Sequence, residues 1–148
     1  MHMKISQEVQ YFIEKNISLI EQDTKASWEE VYNKIYDPDY EMSCEDIGAF
    51  GDLMLDMELD PLSNLDYVPP YFLFESKRTS INIPEGIETI STGAFSGSSI
   101  KSIVIPRTCK TIEERAFYEC FKLSKISIPN NVEEIMESAF ASTGIDII

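Results

Sequence analysis

The sequence predicts an α+β protein in which a helical head, residues 1–70, caps a short solenoid with a small parallel sheet, residues 71–148. Three observations predict this arrangement: a motif that occurs three times in the second half, apolar residues at helical spacing in the first half, and acidic residues concentrated in the first half. With 148 residues, of which 43% are hydrophobic, the chain is long and apolar enough to bury a sizeable core.

The repeated motif has the pattern I-P-x5-I-x3-A-F. Its copies start at Ile83, Ile105 and Ile128, at intervals of 22 and 23 residues, and each ends in Ala-Phe. Apolar residues two positions apart, such as Ile103 and Ile105, share one face of a short strand. The proline that follows removes a backbone donor and ends the strand. Each copy is therefore predicted to form one coil of a solenoid.

Equivalent positions of the three copies hold similar apolar residues, which predicts ladders of side chains from coil to coil. The ladders are Ile87, Cys109 and Val132; Ile90, Ile112 and Ile135; and Phe95, Phe117 and Phe140. One coil cannot bury its apolar side alone, whereas coils stacked about 4.8 Å apart share a core.

This motif, with a small residue three positions after the Phe and a following Ile/Leu-x-x-Ile-x-Ile-Pro, resembles the BspA-type leucine-rich repeat over about residues 80–148. The resemblance implies recognition of other macromolecules and supplies no catalytic residues. The outward strand face would then bind a protein partner. The candidate residues on this face are Asn82, Lys101, Val104, Lys125 and Ser127.

Three amphipathic helices are predicted in the head. The first follows Ser6 as N-cap, the second follows Ser27 with Glu30 completing a capping box, and the third starts at Ser43. The apolar residues expected to face inward on the first and third helices are Val9, Phe12, Ile13, Ile17 and Ile20, and Ile47, Phe50, Leu53, Met54 and Met57. Asp60-Pro61 is expected to start a short turn, and Val68, which precedes two prolines, is expected to be extended.

Charge is distributed unevenly between the two regions. Residues 1–70 contain 16 acidic and 4 basic residues, a net charge of −12, and residues 71–148 contain 10 and 8, a net charge of −2. The candidate partner-binding residues of the acidic head are Asp37, Asp39, Glu41, Glu45, Asp46, Asp52, Asp56, Glu58 and Asp60. On the third helix, Glu45, Asp52 and Asp56 are expected to project from one side. The basic residues of the solenoid are expected at ordinary outer positions.

Two interpretations of the acidic head remain open. It is a solvated surface that keeps the protein soluble, or its carboxylates mimic a phosphate backbone and block a basic nucleic-acid-binding protein. The small size and acidity resemble those of phage-borne inhibitors of host defence, including anti-CRISPR proteins. Calcium at Asp37-x-Asp39-x-Glu41 is a third option, disfavoured by Pro38 and by the lack of a glycine at the sixth loop position.

Other function classes are disfavoured. A net charge of −14 repels nucleic acid, and the sequence has no Gly-rich phosphate loop or G-x-S-x-G motif. The single histidine, His2, lies in a start, MHM, that is interpreted as a cloning scar. The cysteines at 44, 109 and 120 show no metal-ligand spacing and are interpreted as buried thiols. No enzyme activity, metal or cofactor is expected.

The remaining expectations concern location and assembly. No apolar run suggests a signal peptide or membrane span, so a cytoplasmic protein is expected. Ile148 aligns with Ile103 and Ile126, which predicts an incomplete last strand and pairing through this C-terminal edge, as a homodimer or with a partner. The sequence thus predicts a non-catalytic interaction protein that acts through its acidic head, or alternatively a scaffold or adaptor that binds through the strand face.

Overall fold

The computed structural model describes residues 5–145, in which helices precede small parallel sheets. The helices are α1 (Gln7–Gln22), α2 (Lys25–Ile35), α3 (Cys44–Asp56) and α4 (Pro61–Asn64). The strands are β1 (Tyr67–Val68), β2 (Thr89–Ile90), β3 (Ser102–Val104), β4 (Thr111–Ile112), β5 (Lys125–Ser127) and β6 (Glu134–Ile135). One parallel sheet has the order β1-β2-β4-β6 and the other pairs β3 with β5. The α+β class predicted from the sequence agrees with this mixture of elements.

The predicted N-caps of α1 and α3 are confirmed, and that of α2 is wrong. Ser6 accepts a hydrogen bond from Val9 N at 3.2 Å, and Ser43 caps α3. Helix α2 begins after Thr24, because Thr24 Oγ1 accepts from Ser27 N and Ser27 Oγ accepts from Thr24 N. Ser27 is thus the third residue of the helix, and the reciprocal cap forms three residues before the predicted one.

Helices α1 to α3 enclose an aromatic core that continues into the solenoid. Phe12 and Tyr32 both pack edge-on against Phe50, with ring centroids 5.4 and 5.9 Å apart. Tyr32 also contacts Phe72, which follows β1. The buried residues of head and solenoid therefore form one hydrophobic cluster.

Two residues predicted to face inward are exposed instead. Ile17 is 36% exposed, and Met57, 47% exposed, is the C-cap of α3. At about 100° per residue, Ile17 lies at the angular edge of its apolar stripe, whereas Met57 lies after the last residue of α3. The short turn expected after Asp60 is helix α4, and Val68 lies in extended strand β1 as predicted.

Two of the three predicted side-chain ladders are confirmed, those through Ile112 and Phe117. Ile90 pairs in register with Ile112, and Ile112 with Ile135, through the strands of the four-stranded sheet. The three phenylalanines stack with centroids 5.2 Å apart between Phe95 and Phe117 and 5.1 Å apart between Phe117 and Phe140. Residues at the same repeat position therefore lie directly above one another.

A further coil precedes the three copies of the motif. Strand β1 pairs with β2, and Leu73 N donates to Ala94 O at 2.8 Å, as Phe95 N does to Ala116 O and Phe117 N to Ala139 O. Each of these coils has two residues with left-handed backbone, four positions apart. They are Tyr71 and Glu75, Gly93 and Gly97, Arg115 and Glu119, and Ser138 and Ser142, with φ between 56° and 71°. The domain boundary at 70/71 stays a prediction, and coil geometry already starts at β1.

Helix α3 packs directly on the backbone of this additional coil. A Cβ atom at Gly48 would overlap the carbonyl oxygen of Phe74, and one at Gly51 would overlap that of Phe72. Tyr36 of the head donates its hydroxyl hydrogen to Pro70 O. Glycine is therefore required at both positions of α3 by close approach of two backbones, although it lowers helix propensity.

Two further sequence expectations concern a membrane span and the last strand. No helix among residues 5–145 is long and apolar enough to cross a membrane. Ile148, on which the expectation of an incomplete last strand rests, lies outside the described residues.

The contact at Gly51 gives a test in which packing and helix propensity predict opposite changes in the free energy of unfolding. Replacing Gly51 by Ala should favour the helix by about 1 kcal/mol. The clash with the Phe72 carbonyl should outweigh this gain and lower the free energy of unfolding by about 1–3 kcal/mol. Urea denaturation measures the change, with Ser18→Ala at an exposed position of α1 as the control. Increased stability in Gly51→Ala would show that α3 does not lie against the coil in this way.

Candidate interaction surfaces

The three acidic residues of α3 lie on one side of the helix, as the sequence indicates. Glu45, Asp52 and Asp56 line a groove of about 590 Å³ between α3 and residues 74–78. The opposite wall carries Lys77 and Arg78 together with one acid, Glu75. The carboxylates therefore face cations of the solenoid, and not solvent alone.

Arg78 joins two of these carboxylates to the solenoid. Its Nε lies 2.9 Å from Asp52 Oδ1, and its Nη2 forms ion pairs with Asp56 and donates to the Asp52 carbonyl oxygen at 3.2 Å. Ser76 Oγ donates to the same Asp52 oxygen at 2.8 Å. The Asp52 side chain is only 13% exposed, whereas that of Asp56 is 53% exposed. The expectation that Arg78 occupies an ordinary outer position is wrong, because Arg78 is a contact between the two regions.

Three more acids of the predicted set have structural contacts within the head. Asp46 accepts from Ser6 Oγ at 2.8 Å, Asp60 caps α4 by accepting from Ser63 N, and Asp37 accepts from Asp39 N. The remaining candidates, Asp39, Glu41, Glu45 and Glu58, are exposed, and none of the ion pairs of residues 5–145 includes them. The acidic set is thus divided between structural contacts and free surface charge.

The calcium option has no geometric support in the described part of the chain. No group of three or more His, Cys, Asp or Glu side chains that could hold a metal ion occurs among residues 5–145. Asp37 and Asp39 line a depression that also contains Lys15 and Lys34. Cations so close to these carboxylates disfavour a bound cation.

The strand face is formed by the outward residues of β3 and β5 and of the preceding coil. Its outward residues are Ser80, Asn82, Ser102, Val104, Lys125 and Ser127, and they surround a depression of about 450 Å³. The register pairs Ser102 with Lys125 and Val104 with Ser127. Four predicted residues are therefore brought together, namely Asn82, Val104, Lys125 and Ser127.

Lys101 does not line this face, and Ser80 and Ser102 take part although the prediction omitted them. Lys101 precedes β3, and its backbone bonds to Thr79 and Ser124. Successive strand residues point to opposite sides of a sheet. Ser102, two positions before Val104, therefore lies on the same side as Val104. This alternation is the signal in the sequence that could have identified Ser102.

The strand face differs chemically from the head. Its six outward residues include one cation, Lys125, and no carboxylate, in a chain with a net charge of −14. Val104 lies on β3, between the preceding coil and β5, and is 68% exposed. The face therefore combines neutral polar groups with an accessible apolar side chain.

The cysteines do not provide a reactive nucleophile. All three are free thiols; Cys109 and Cys120 are buried, as predicted, whereas Cys44 is only half-buried. Desolvation by burial raises the pKa of each thiol, so the protonated form is favoured at neutral pH. Cys120 donates to Phe95 O, which fits a packing role.

Comparisons with known proteins concern the repeat region. A family model described as a BspA type leucine rich repeat region (6 copies) matches residues 58–148. The crystal structure of the pneumococcal vaccine antigen PcpA is similar to 55% of this chain, with 26% sequence identity and a TM-score of 0.50. The match covers 21% of PcpA, so this chain corresponds to a small part of that protein. No curated protein matches the chain.

The Arg78 contacts predict unequal couplings to the two aspartates. In double-mutant cycles of Asp52→Asn, Asp56→Asn and Arg78→Met, the Asp52–Arg78 pair should contribute about 1 kcal/mol to the free energy of unfolding. The Asp56–Arg78 pair should contribute less, because water screens the more exposed carboxylate. Urea denaturation measures both couplings. A larger coupling for Asp56 would contradict the arrangement.

Proposed function

Because the chain belongs to the BspA-type leucine-rich-repeat family, we propose that it is a non-catalytic scaffold or adaptor that binds a protein partner through its strand face. Repeats of this kind form extended surfaces suited to macromolecular recognition. The observation that carries the proposal is Val104, which is 68% exposed on the middle strand of a face without carboxylates. Burial of such a side chain by a partner contributes about 1.5 kcal/mol or more.

The surroundings of Val104 suit a protein partner. Serine and asparagine side chains offer donors and acceptors at the rim, and Lys125 provides the one positive charge. Protein interfaces commonly combine a central apolar contact with a polar rim. Because this face has no acids, a neutral or acidic partner meets less repulsion here than at the head of this negatively charged chain.

The head has a supporting role in this proposal, as the N-terminal cap of the solenoid. The close contacts of Gly48 and Gly51 and the ion pairs of Arg78 support this role. A solenoid needs such a cover because its terminal coil otherwise exposes apolar residues and unpaired backbone. The free cysteines support a reducing compartment, such as the cytoplasm, for the interaction.

The acidic head is the second candidate for the working surface. Asp39, Glu41, Glu45 and Glu58 are exposed carboxylates outside the ion pairs of the described residues, and these favour nucleic-acid mimicry. The partner would then be a basic nucleic-acid-binding protein, such as a CRISPR effector blocked by a phage-type inhibitor. Asp52 and Asp56 form structural ion pairs with Arg78, so these two carboxylates are not free to mimic phosphate groups. For this reason mimicry is the second candidate function.

Two matched sets of variants distinguish the candidates. Val104→Glu changes the strand face, and Phe121→Glu makes the same change at a residue of similar exposure, 67%, that does not line it. The triple variant Glu41→Gln, Glu45→Gln and Glu58→Gln neutralises free carboxylates of the head. We expect Val104→Glu to abolish retention of the partner from a host lysate, and the other variants to retain it. Mass spectrometry identifies the retained protein.

Binding to the purified partner should then depend weakly on salt. Loss of binding in the triple variant, with steep salt dependence and competition by the partner's nucleic acid, would instead support mimicry. Equal retention by all variants would contradict both candidates. Circular dichroism of each variant verifies that it is folded.

A further inference from the structure

The basic residues of the solenoid are concentrated on the side that carries the strand face. Three segments of the chain stack on this side, namely residues 76–82, 98–104 and 120–127. Lys101 N donates to Thr79 O at 2.9 Å, and Ser124 N donates to Lys101 O at 3.0 Å, so the segments are adjacent. Together they contain five of the eight basic residues of region 71–148 and none of its ten acidic residues. This side of the solenoid is therefore positively charged, in a chain with a net charge of −14.

Three lysines of this side are free of ion pairs within residues 5–145. Lys101, Lys122 and Lys125, which we call the lysine cluster, are exposed. The ion pairs of the described residues have Arg78 as their only cation. Lys101 and Lys125 lie on adjacent coils, because Lys125 N donates to Lys101 O. Cations placed so close together repel one another, and an anionic group of a partner that binds between them would reduce this repulsion.

The lysine cluster and Val104 lie toward opposite ends of the strands of the face. Lys125 is the first residue of β5 and pairs with Ser102, the first residue of β3, which Lys101 precedes. Val104 is the last residue of β3. At about 3.3 Å per residue, Val104 therefore lies about 7 Å along the strands from the level of Lys125 and about 10 Å from that of Lys101. The positive end and the apolar residue are thus separated by the length of two or three residues of an extended chain.

This arrangement favours an acidic protein segment over nucleic acid. The residues that line the strand face include no aromatic side chain on which a base could stack. A long polyanion would also be repelled by the head, since residues 1–70 have a net charge of −12. A short segment with two carboxylates meets less of this repulsion, and it can also carry the apolar side chain that covers Val104.

We propose that the strand face binds an extended, acidic segment of the partner protein, an inference that rests on the proposed function. Two carboxylates of the segment pair with Lys101 and Lys125, with Lys122 beside them. An apolar side chain two or three positions away in the segment packs on Val104. Exposed ion pairs contribute little to affinity, so the contact with Val104 supplies most of it, and the lysine cluster selects acidic sequences.

Synthetic peptides added to the full chain test this chemistry. The probe has eight residues, with two adjacent glutamates, a leucine two positions after the second glutamate, and serine or glycine elsewhere. A second probe has the reverse order, since either chain direction can cover the face. The control peptides have glutamine in place of both glutamates. In an NMR titration at about 0.1 M salt, we expect one acidic probe to bind at least about threefold tighter than its control. The amide signals of Ser102, Val104 and Lys125 should shift, and those of Ile90 and Ile112 on the other sheet should not.

Matched lysine variants locate the site. The double variant Lys101→Gln and Lys125→Gln should weaken binding of the acidic probe at least about threefold. Lys110→Gln, which removes an exposed lysine beside the other sheet, should leave the affinity within about 1.5-fold. Equal affinity for acidic and glutamine peptides, no binding of any probe, or equal effects of the Lys110 and double variants would overturn the proposal. Tighter binding of a single-stranded oligonucleotide, weakened by the same double variant, would assign the face to nucleic acid instead.

The protein captured through the strand face separates failure of this inference from failure of the proposed function. If Val104→Glu retains that protein, the strand face is not the binding surface and the proposed function is wrong. If Val104→Glu loses it while the lysine double variant binds it with unchanged affinity, the strand face is correct and the acidic chemistry is wrong. Loss with Val104→Glu and at least about threefold weaker binding with the double variant is the result that both proposals predict.

Discussion

Backbone hydrogen bonds between successive coils are the interaction on which the rest of the structure depends. Leu73, Phe95 and Phe117 each donate to an alanine carbonyl of the next coil at 2.8 Å. The turns that present these donors have two left-handed residues each, and most of those residues are not glycine. Such backbone costs about 1 kcal/mol per residue and persists only where the surroundings enforce it. A coil therefore holds its shape because its neighbours bond to it, and the stacked phenylalanines exclude water from those bonds.

The head gives the stack its starting surface. Helix α3 contacts the coil that contains Phe72 and Phe74 closely enough to require glycine at two helical positions. Arg78 then bonds to Asp52 and Asp56, so part of the negative charge of the head stabilises its contact with the solenoid. Acidic composition alone therefore does not define an acidic binding surface. The strand face, which keeps its polar residues and Val104 free, is available to a partner without disturbing these contacts.

The sequence predicted the features that depend on repeated side chains, and it missed those that depend on backbone or on distant pairs. The ladders through Ile112 and Phe117 follow from identical residues at one period. The coil around Leu73 lacks the I-P-x5-I-x3-A-F motif, so the three copies did not reveal it, whereas its main-chain bonds and the family model, which starts at residue 58, include it in the repeat region. The Asp52–Arg78 pair joins two elements whose relative position could not be predicted from the sequence. Lys101 lies one residue before β3, and the residues of β3 that line the strand face are Ser102 and Val104, which alternate along the strand.

Native-state hydrogen exchange at three equivalent amides tests most directly whether the coils depend on one another. Leu73 N, Phe95 N and Phe117 N make hydrogen bonds of the same length at the same repeat position, so local geometry alone would give them equal protection. If stability comes from stacking on the head, protection should be highest at Leu73 and Phe95 and at least about tenfold lower at Phe117, which lies farthest from the head. Equal protection at all three amides, or the highest protection at Phe117, would contradict the account.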